Sequence, residues 1–296
     1  MLMSFFGSAP LRFCLAAIIA LAVAGCVSSE KPALLIGGIP DEEVSILEER
    51  FGDIARYLSD ETGLVVRYQP SISYAALVTA FEHGDVGLAW FGGLTGVQAR
   101  IAAPGAEAFA QRPRDREFRS VFIVGRGVSA ASLRALRGLS FTFGSESSTS
   151  GHLMPRYFMV DAGIDPERDL KGKPPYSGSH DKTWKLVEAG TFDAGVLNQA
   201  VWDRAVQQGQ VDTTKVQAIY VTPPYFDYHW IVGPKVDEVY GSGTAERIKR
   251  ALLSMNASNV EAARTLGLFQ TDSFIETTNE NYAAIESTAR TLGLIQ

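Results

Sequence analysis

Cysteine is almost missing from this 296-residue chain, with Cys14 and Cys26 the only two. Two thiols cannot staple a disulfide scaffold, and they rule out a thiolate zinc cluster. Histidine is scarce as well. None of His83, His152, His180 and His229 stands in an H-E-x-x-H spacing, so neither metal nor cofactor is expected. There is no basic excess: 27 Lys and Arg stand against 33 Asp and Glu, a net charge of −6, which excludes a general nucleic-acid binder. Two catalytic loops are missing too. No lysine follows Gly151, as a P-loop requires, and Gly144-Ser145-Glu146-Ser147-Ser148 breaks the G-x-S-x-G pattern of a nucleophile elbow. What remains is ordinary globular material, 46% hydrophobic and 20% charged.

The apolar residues are not evenly spread. Phe13–Ala24 reads FCLAAIIALAVA after a single Arg12. Twelve helical residues span about 18 Å, well short of the roughly 30 Å of a bilayer core, so a secretory signal is expected over residues 1–25. Val23-Ala24-Gly25-Cys26 resembles a bacterial lipobox, which would make Cys26 the lipidated first residue of the mature chain. Residues 26–32 then form a polar tether. Losing residues 1–25 removes Arg12 alone among the charged groups and moves the net charge from −6 to −7.

From Ala33 onward, β-type runs alternate with helical patterns, which predicts an α/β fold with mostly parallel strands and helices on both faces. ALLIGG (33–38) reads as a buried strand, with a helix opening at Pro40-Asp41. Its core face is Val44, Leu47, Phe51, Ile54 and Leu58, and Gly63 ends it. Strands are expected at 64–68, 86–92, 120–125, 139–144 and 192–198, and the last sixty residues return to helical spacing. Two lobes joined by crossing strands fit this order, with 33–118 plus 226–296 in one and 119–225 in the other.

The most informative segment is Gly144-Ser145-Glu146-Ser147-Ser148-Thr149-Ser150-Gly151, between a strand and a helix. Small hydroxyls and open backbone N–H groups at the positive end of a helix suit a compact anion. A plain N-cap would need only one hydroxyl. Tyr176-Ser177-Gly178-Ser179-His180-Asp181 forms a second such junction. There His180 could donate to an anion, which would favour its protonated form. Aromatic groups gather at strand ends: Tyr74, Trp90 with Phe91, and Tyr225-Phe226-Asp227-Tyr228-His229-Trp230 after Pro223-Pro224. They read as either cleft walls or packing.

Taken in order, the lipobox, SSTSGHLMP, SGSHD, VLN and TPPYFDY resemble the periplasmic substrate-binding proteins of phosphate/phosphite/phosphonate ABC transporters. The resemblance runs from about Ala33 to Gly293. AWFGG, SSTSGHLMPRYF and TPPYFDY together look most like members ascribed to selenate transport. The resemblance implies a two-lobed type II binding-protein fold with the ligand held in a cleft between lobes. It also implies a monomer, anchored by lipid on the periplasmic side, that serves an ABC permease and its ATPase without turning its ligand over. By the same resemblance Ser148, Thr149, Ser150 and His180 would hold the oxyanion, and Tyr74 would line the cleft. Asn198 replaces a carboxylate that relatives use for a ligand amine, while Asp227 matches a second acid. That departure favours phosphonate, phosphite, phosphate, sulfate or selenate over an aminoalkylphosphonate. An enzyme of the same fold acting on a phosphorylated or thiamine-precursor substrate, and a sensor lipoprotein, are the alternatives.

Overall fold

The structure, a computed structural model, describes residues 32–296. The signal segment 1–25, Cys26 and most of the tether lie outside the described residues. Strand β1 (Leu34–Gly38) leads into α1 (Val44–Thr62), β2 (Val66–Tyr68), α2 (Tyr74–His83), β3 (Leu88–Phe91), α3 (Gly93–Ala102) and β4 (Glu107–Gln111). The chain then crosses to β5 (Ser120–Gly125), β6 (Phe141–Thr142), α4 (Met154–Asp161), α5 (His180–Glu188), β7 (Ala194–Asn198), α6 (Gln199–Gln207) and β8 (Val216–Val221). It returns through β9 (His229–Val232), α7 (Val236–Tyr240), α8 (Thr244–Ser254), α9 (Val260–Leu268), β10 (Ile275–Glu276) and α10 (Ala283–Thr291).

The strands form two sheets, ordered β10-β4-β9-β3-β1-β2 and β6-β7-β5-β8. The mixed α/β expectation holds, but the expectation of mostly parallel strands does not. Among the described residues three strand pairs are parallel and five antiparallel. The cause lies in the crossing strands: β9 enters the first sheet antiparallel to both β3 and β4, and β5 does the same between β7 and β8.

Helix α1 buries Leu47, Phe51, Ile54 and Leu58 as its spacing predicts, while Val44 stays exposed. Phe51 explains why β1 ends in glycine, since a Cβ at Gly38 would sit 2.0 Å from its ring. The helix opens at Val44 rather than at Pro40-Asp41, because Asp41 and Glu42 turn inward to polar partners instead of capping it. Around Phe51 pack Trp90, Trp230 and Phe269, the centre of the first core. In the second sheet the period of two along β5 sends Phe122 and Val124 to one cluster and Val121 and Ile123 to the other. Both faces of that sheet are therefore covered.

The two crossing segments pair with each other. Phe118 and Tyr225 exchange N–H···O bonds at 2.8 and 3.0 Å, and the amides of Thr222 and Asp227 donate to the carbonyls of Ser120 and Asp115, both at 3.0 Å. This ribbon carries Asp227 to the edge between the sheets.

Candidate functional site

The Ser/Thr-rich segment leaves β6 as a tight loop closed on itself. Gly144 donates its N–H to the Gly151 carbonyl at 2.8 Å, and a Cβ on either glycine would lie 3.0 Å from the other's Cα. A side chain at either place would force the two backbone segments apart by a few tenths of an ångström. Ser148 caps the turn that follows, its Oγ accepting the Gly151 N–H at 2.9 Å. That turn, Thr149–Leu153, is a π-turn whose first bonds run from Leu153 to Ser148 and from Met154 to Thr149. The amides of Thr149 and Ser150 fall outside the ladder as they would in an α-helix, and the π-turn adds that of His152. His152 braces the loop, with Nδ1 2.7 Å from the Glu146 carbonyl and Nε2 3.3 Å from the Tyr176 hydroxyl. Burial pushes His152 down to about 4, so it braces as a neutral ring.

Opposite this loop stands the N-terminus of α3, which begins at the Gly92-Gly93 pair. Leu94 donates its N–H to Thr149 Oγ1 at 2.9 Å, and Gly93 donates its N–H to Asp227 Oδ1 at 2.8 Å. The Thr149 hydroxyl also lies close enough to the Asp227 carboxyl to lower its pKa. Burial pushes the Asp227 carboxyl up to about 7, against the Gly93 and Thr149 donors. Its Oδ2 has no partner. Tyr74, the first residue of α2, is also buried and its hydroxyl is also unmatched. Burial and then Asp41 hold Tyr74 well above the usual tyrosine range, and Ser148 is near enough to soften that but not to bond it.

His180 opens α5. Its Nδ1 accepts the Asn198 N–H at 3.3 Å, which leaves the ring proton on Nε2, 3.5 Å from the Tyr228 hydroxyl. Burial pushes the imidazole down to about 4, against the nearby Asp181. Without a ligand the ring is therefore a neutral donor, and the expectation that an anion would favour its protonated form concerns the bound state. Asn198 is consumed locally, its Oδ1 accepting the Ala200 and Val201 amides as the cap of α6 and its Nδ2 reaching Tyr228 at 3.4 Å. No oxygen of that side chain is left to meet an amine.

The structure thus brings Ser148, Thr149, Ser150, Tyr74, His180, Asn198 and Asp227 into one buried region. Phe91 does not join them; its ring meets Phe81 edge-on at 5.4 Å inside the first core. The sequence reading missed Asp41, whose Oδ2 accepts the Tyr228 hydroxyl at 2.6 Å and whose Oδ1 is unmatched. It also missed the Gly93 and Leu94 amides, although a Gly-Gly pair after a strand was the available signal. No group of three or more metal-ligating side chains occurs among the described residues, and no described helix is long and apolar enough to cross a membrane.

Chemically the arrangement gathers neutral donors and helix N-termini around orphaned polar atoms, which suits capture of a small anion and offers no nucleophile–base pair. The solved structure of PhnD1 from Prochlorococcus marinus in complex with methylphosphonate is 38% identical and superposes with a TM-score of 0.86, over 89% of this chain and 99% of that one. The curated sequence of the probable ABC transporter phosphite binding protein PhnD1 from that organism is 38% identical over 276 residues, 91% of this chain and 93% of its own length. The phosphate-import protein PhnD of Mycolicibacterium smegmatis is 23% identical over 257 residues, 75% of this chain and 77% of its own. These relatives are binding components of ABC transporters rather than enzymes, and the fold they share is the type II periplasmic-binding-protein fold. Residues 36–282 match the profile described as ABC transporter, phosphonate, periplasmic substrate-binding protein, and the chain belongs to that family.

Proposed function

We propose that the protein captures a small phosphorus oxyanion, of the phosphonate or phosphite class, between its two sheets and delivers it to the permease and ATPase of an ABC importer. On this reading residues 33–118 with 226–296 form one lobe and 119–225 the other, and the protein acts as a monomer. The observation that carries the proposal is the convergence of Thr149, Ser150, Tyr74, His180 and Asp227 with the first amides of α3. Micromolar binding needs about 8.2 kcal/mol. Four to six hydrogen bonds to a charged ligand, at roughly 1.5–3 kcal/mol each, reach that figure before association costs.

The unmatched Asp227 Oδ2 selects among the anions. A carboxyl beside an oxyanion needs a shared proton. Phosphite and alkylphosphonates keep one on part of their molecules at neutral pH, whereas sulfate and selenate do not. Selenate is therefore placed behind the phosphorus anions, and an amine-bearing ligand behind both. Titration calorimetry with methylphosphonate, phosphite, phosphate, sulfate and selenate tests this. Methylphosphonate or phosphite should bind at micromolar levels or tighter, and sulfate and selenate more weakly, because for them the shared proton must come from Asp227 alone. Millimolar affinity for all five would end the oxyanion reading. Selenate binding as tightly as phosphite would end the proton argument.

We further propose that Cys26 carries the lipid that holds the protein on the periplasmic side of the membrane, several acyl chains giving firmer attachment than one. Cys26→Ser should move the protein from the membrane fraction to the soluble periplasm in a fractionation blot. Retention in the membrane would overturn the anchor.

A further inference from the structure

Three consecutive residues between β1 and α1 reach across from the first sheet to helices that flank the second. The Asp41 carbonyl accepts the His180 N–H at 3.0 Å. Glu42 is buried between two arginines: Oε1 meets Arg50 of α1 at 2.6 Å, and Oε2 meets Arg204 of α6. Glu43 pairs with Lys185 of α5, which also approaches Asp181 at 3.4 Å. The Asp41 side chain closes a ring of contacts through Tyr228, Asn198 and His180 back to its own carbonyl.

We propose that Asp41-Glu42-Glu43 is a closure latch, and that the Glu42–Arg204 pair sets the affinity of the cleft without touching the ligand. This rests on the reading of the buried region as an anion site that opens and closes. The two ion pairs differ in weight. Glu43 and Lys185 are each about half exposed, and such pairs contribute little. Glu42 has 4% side-chain exposure and Arg204 21%, so their pair is shielded from water and salt. When the sheets part, Glu42 keeps Arg50, whereas Arg204 loses its acid. The latch therefore favours the closed arrangement before any ligand arrives. Apparent affinity scales with the fraction of molecules able to close, so loosening the latch weakens binding of every ligand by the same factor.

The test compares Arg204→Met, Lys185→Met and Thr149→Val by titration with methylphosphonate and with phosphite. Ligand-induced compaction is followed in parallel by small-angle X-ray scattering. Arg204→Met leaves the buried Glu42–Arg50 pair intact, so the protein should fold, and a circular dichroism melt of the ligand-free form verifies that. The expected result is about a tenfold weaker affinity for both ligands in Arg204→Met, with unchanged preference between them, and at most a twofold loss in Lys185→Met. Thr149→Val should weaken binding of both ligands by more than about tenfold, from loss of one hydrogen bond to a charged ligand. If Thr149→Val weakens binding while Arg204→Met keeps wild-type affinity and compaction, the latch is refuted and the anion site stands. If Thr149→Val keeps wild-type binding, the site itself has been misplaced.

Discussion

Replacing Thr149 with valine and Ser150 with alanine together is expected to remove methylphosphonate binding, with at least about a 100-fold loss measured by titration calorimetry. Valine keeps the shape of threonine but loses the oxygen that accepts the Leu94 amide and the hydroxyl proton that can donate to a ligand. Alanine at 150 removes a second buried hydroxyl from the turn. Two hydrogen bonds to a charged ligand are worth roughly 3–6 kcal/mol together, about two to four decades of affinity. The amides of Thr149 and Ser150 survive the change, so residual binding at high ligand concentration is compatible with the site. The loop itself rests on Gly144, Gly151, Ser148 and His152, none of which is altered. The melting midpoint of the ligand-free protein should therefore fall by only a few degrees. Wild-type affinity in the double variant would remove the Ser/Thr turn from the binding site.

Affinity should also fall as pH rises above neutrality, by about tenfold per unit where one proton accompanies the anion. Asp227, pushed up to about 7, is protonated below that pH and can donate to an oxyanion; above it, the carboxylate repels the ligand. Because the ligand titrates in the same range, the decisive comparison is with Asp227→Asn, which keeps a donor and cannot ionise. Its affinity should decline less steeply from pH 7 to 9 than that of the natural protein. Parallel slopes would show that the ligand alone carries the proton. Folding stability is a poorer probe. Asp227 holds a proton in the folded state from its ordinary value of 3.8 up to about 7, so its contribution falls as pH rises through that window. His152 and His180, ordinarily at 6.5 and pushed to about 4, stay neutral when folded and contribute the opposite slope over most of the same range. A melt therefore reports the sum of these groups, with buried His229 adding to the histidines' side, whereas a ligand titration isolates the bound proton.

These side chains also show what sequence patterns can and cannot carry. Ser148, Thr149 and Ser150 were legible because a helix N-terminus is a local structure, built from neighbours in the chain. Helix α1 and β5 were legible for the same reason, through periods of 3.6 and 2. Asp41 was not, because Pro-Asp reads as a helix start and its use depends on Tyr228, 187 positions away. The neutrality of His180 follows from burial, which no motif states. The antiparallel entry of β9 was hidden in an aromatic cluster that suits a wall as well as a strand. Trp230 went to the core, Tyr228 to the interface and Asp227 to the site, three fates for neighbouring residues.

Asp227 is rooted in the paired crossing ribbon, outside the strands of either sheet. A group on an axle sweeps a smaller arc than one on the door. On the two-lobe reading, opening carries the turn at Thr149 away while the carboxyl stays with the first sheet and the Gly93 amide bonded to it. The anion would thus lose the Ser/Thr turn first and keep the α3 amides and the shared proton longest. On the proposed reading departure would then have a fixed order, and a permease pulling the sheets open would meet a cargo still held on one side rather than one already adrift.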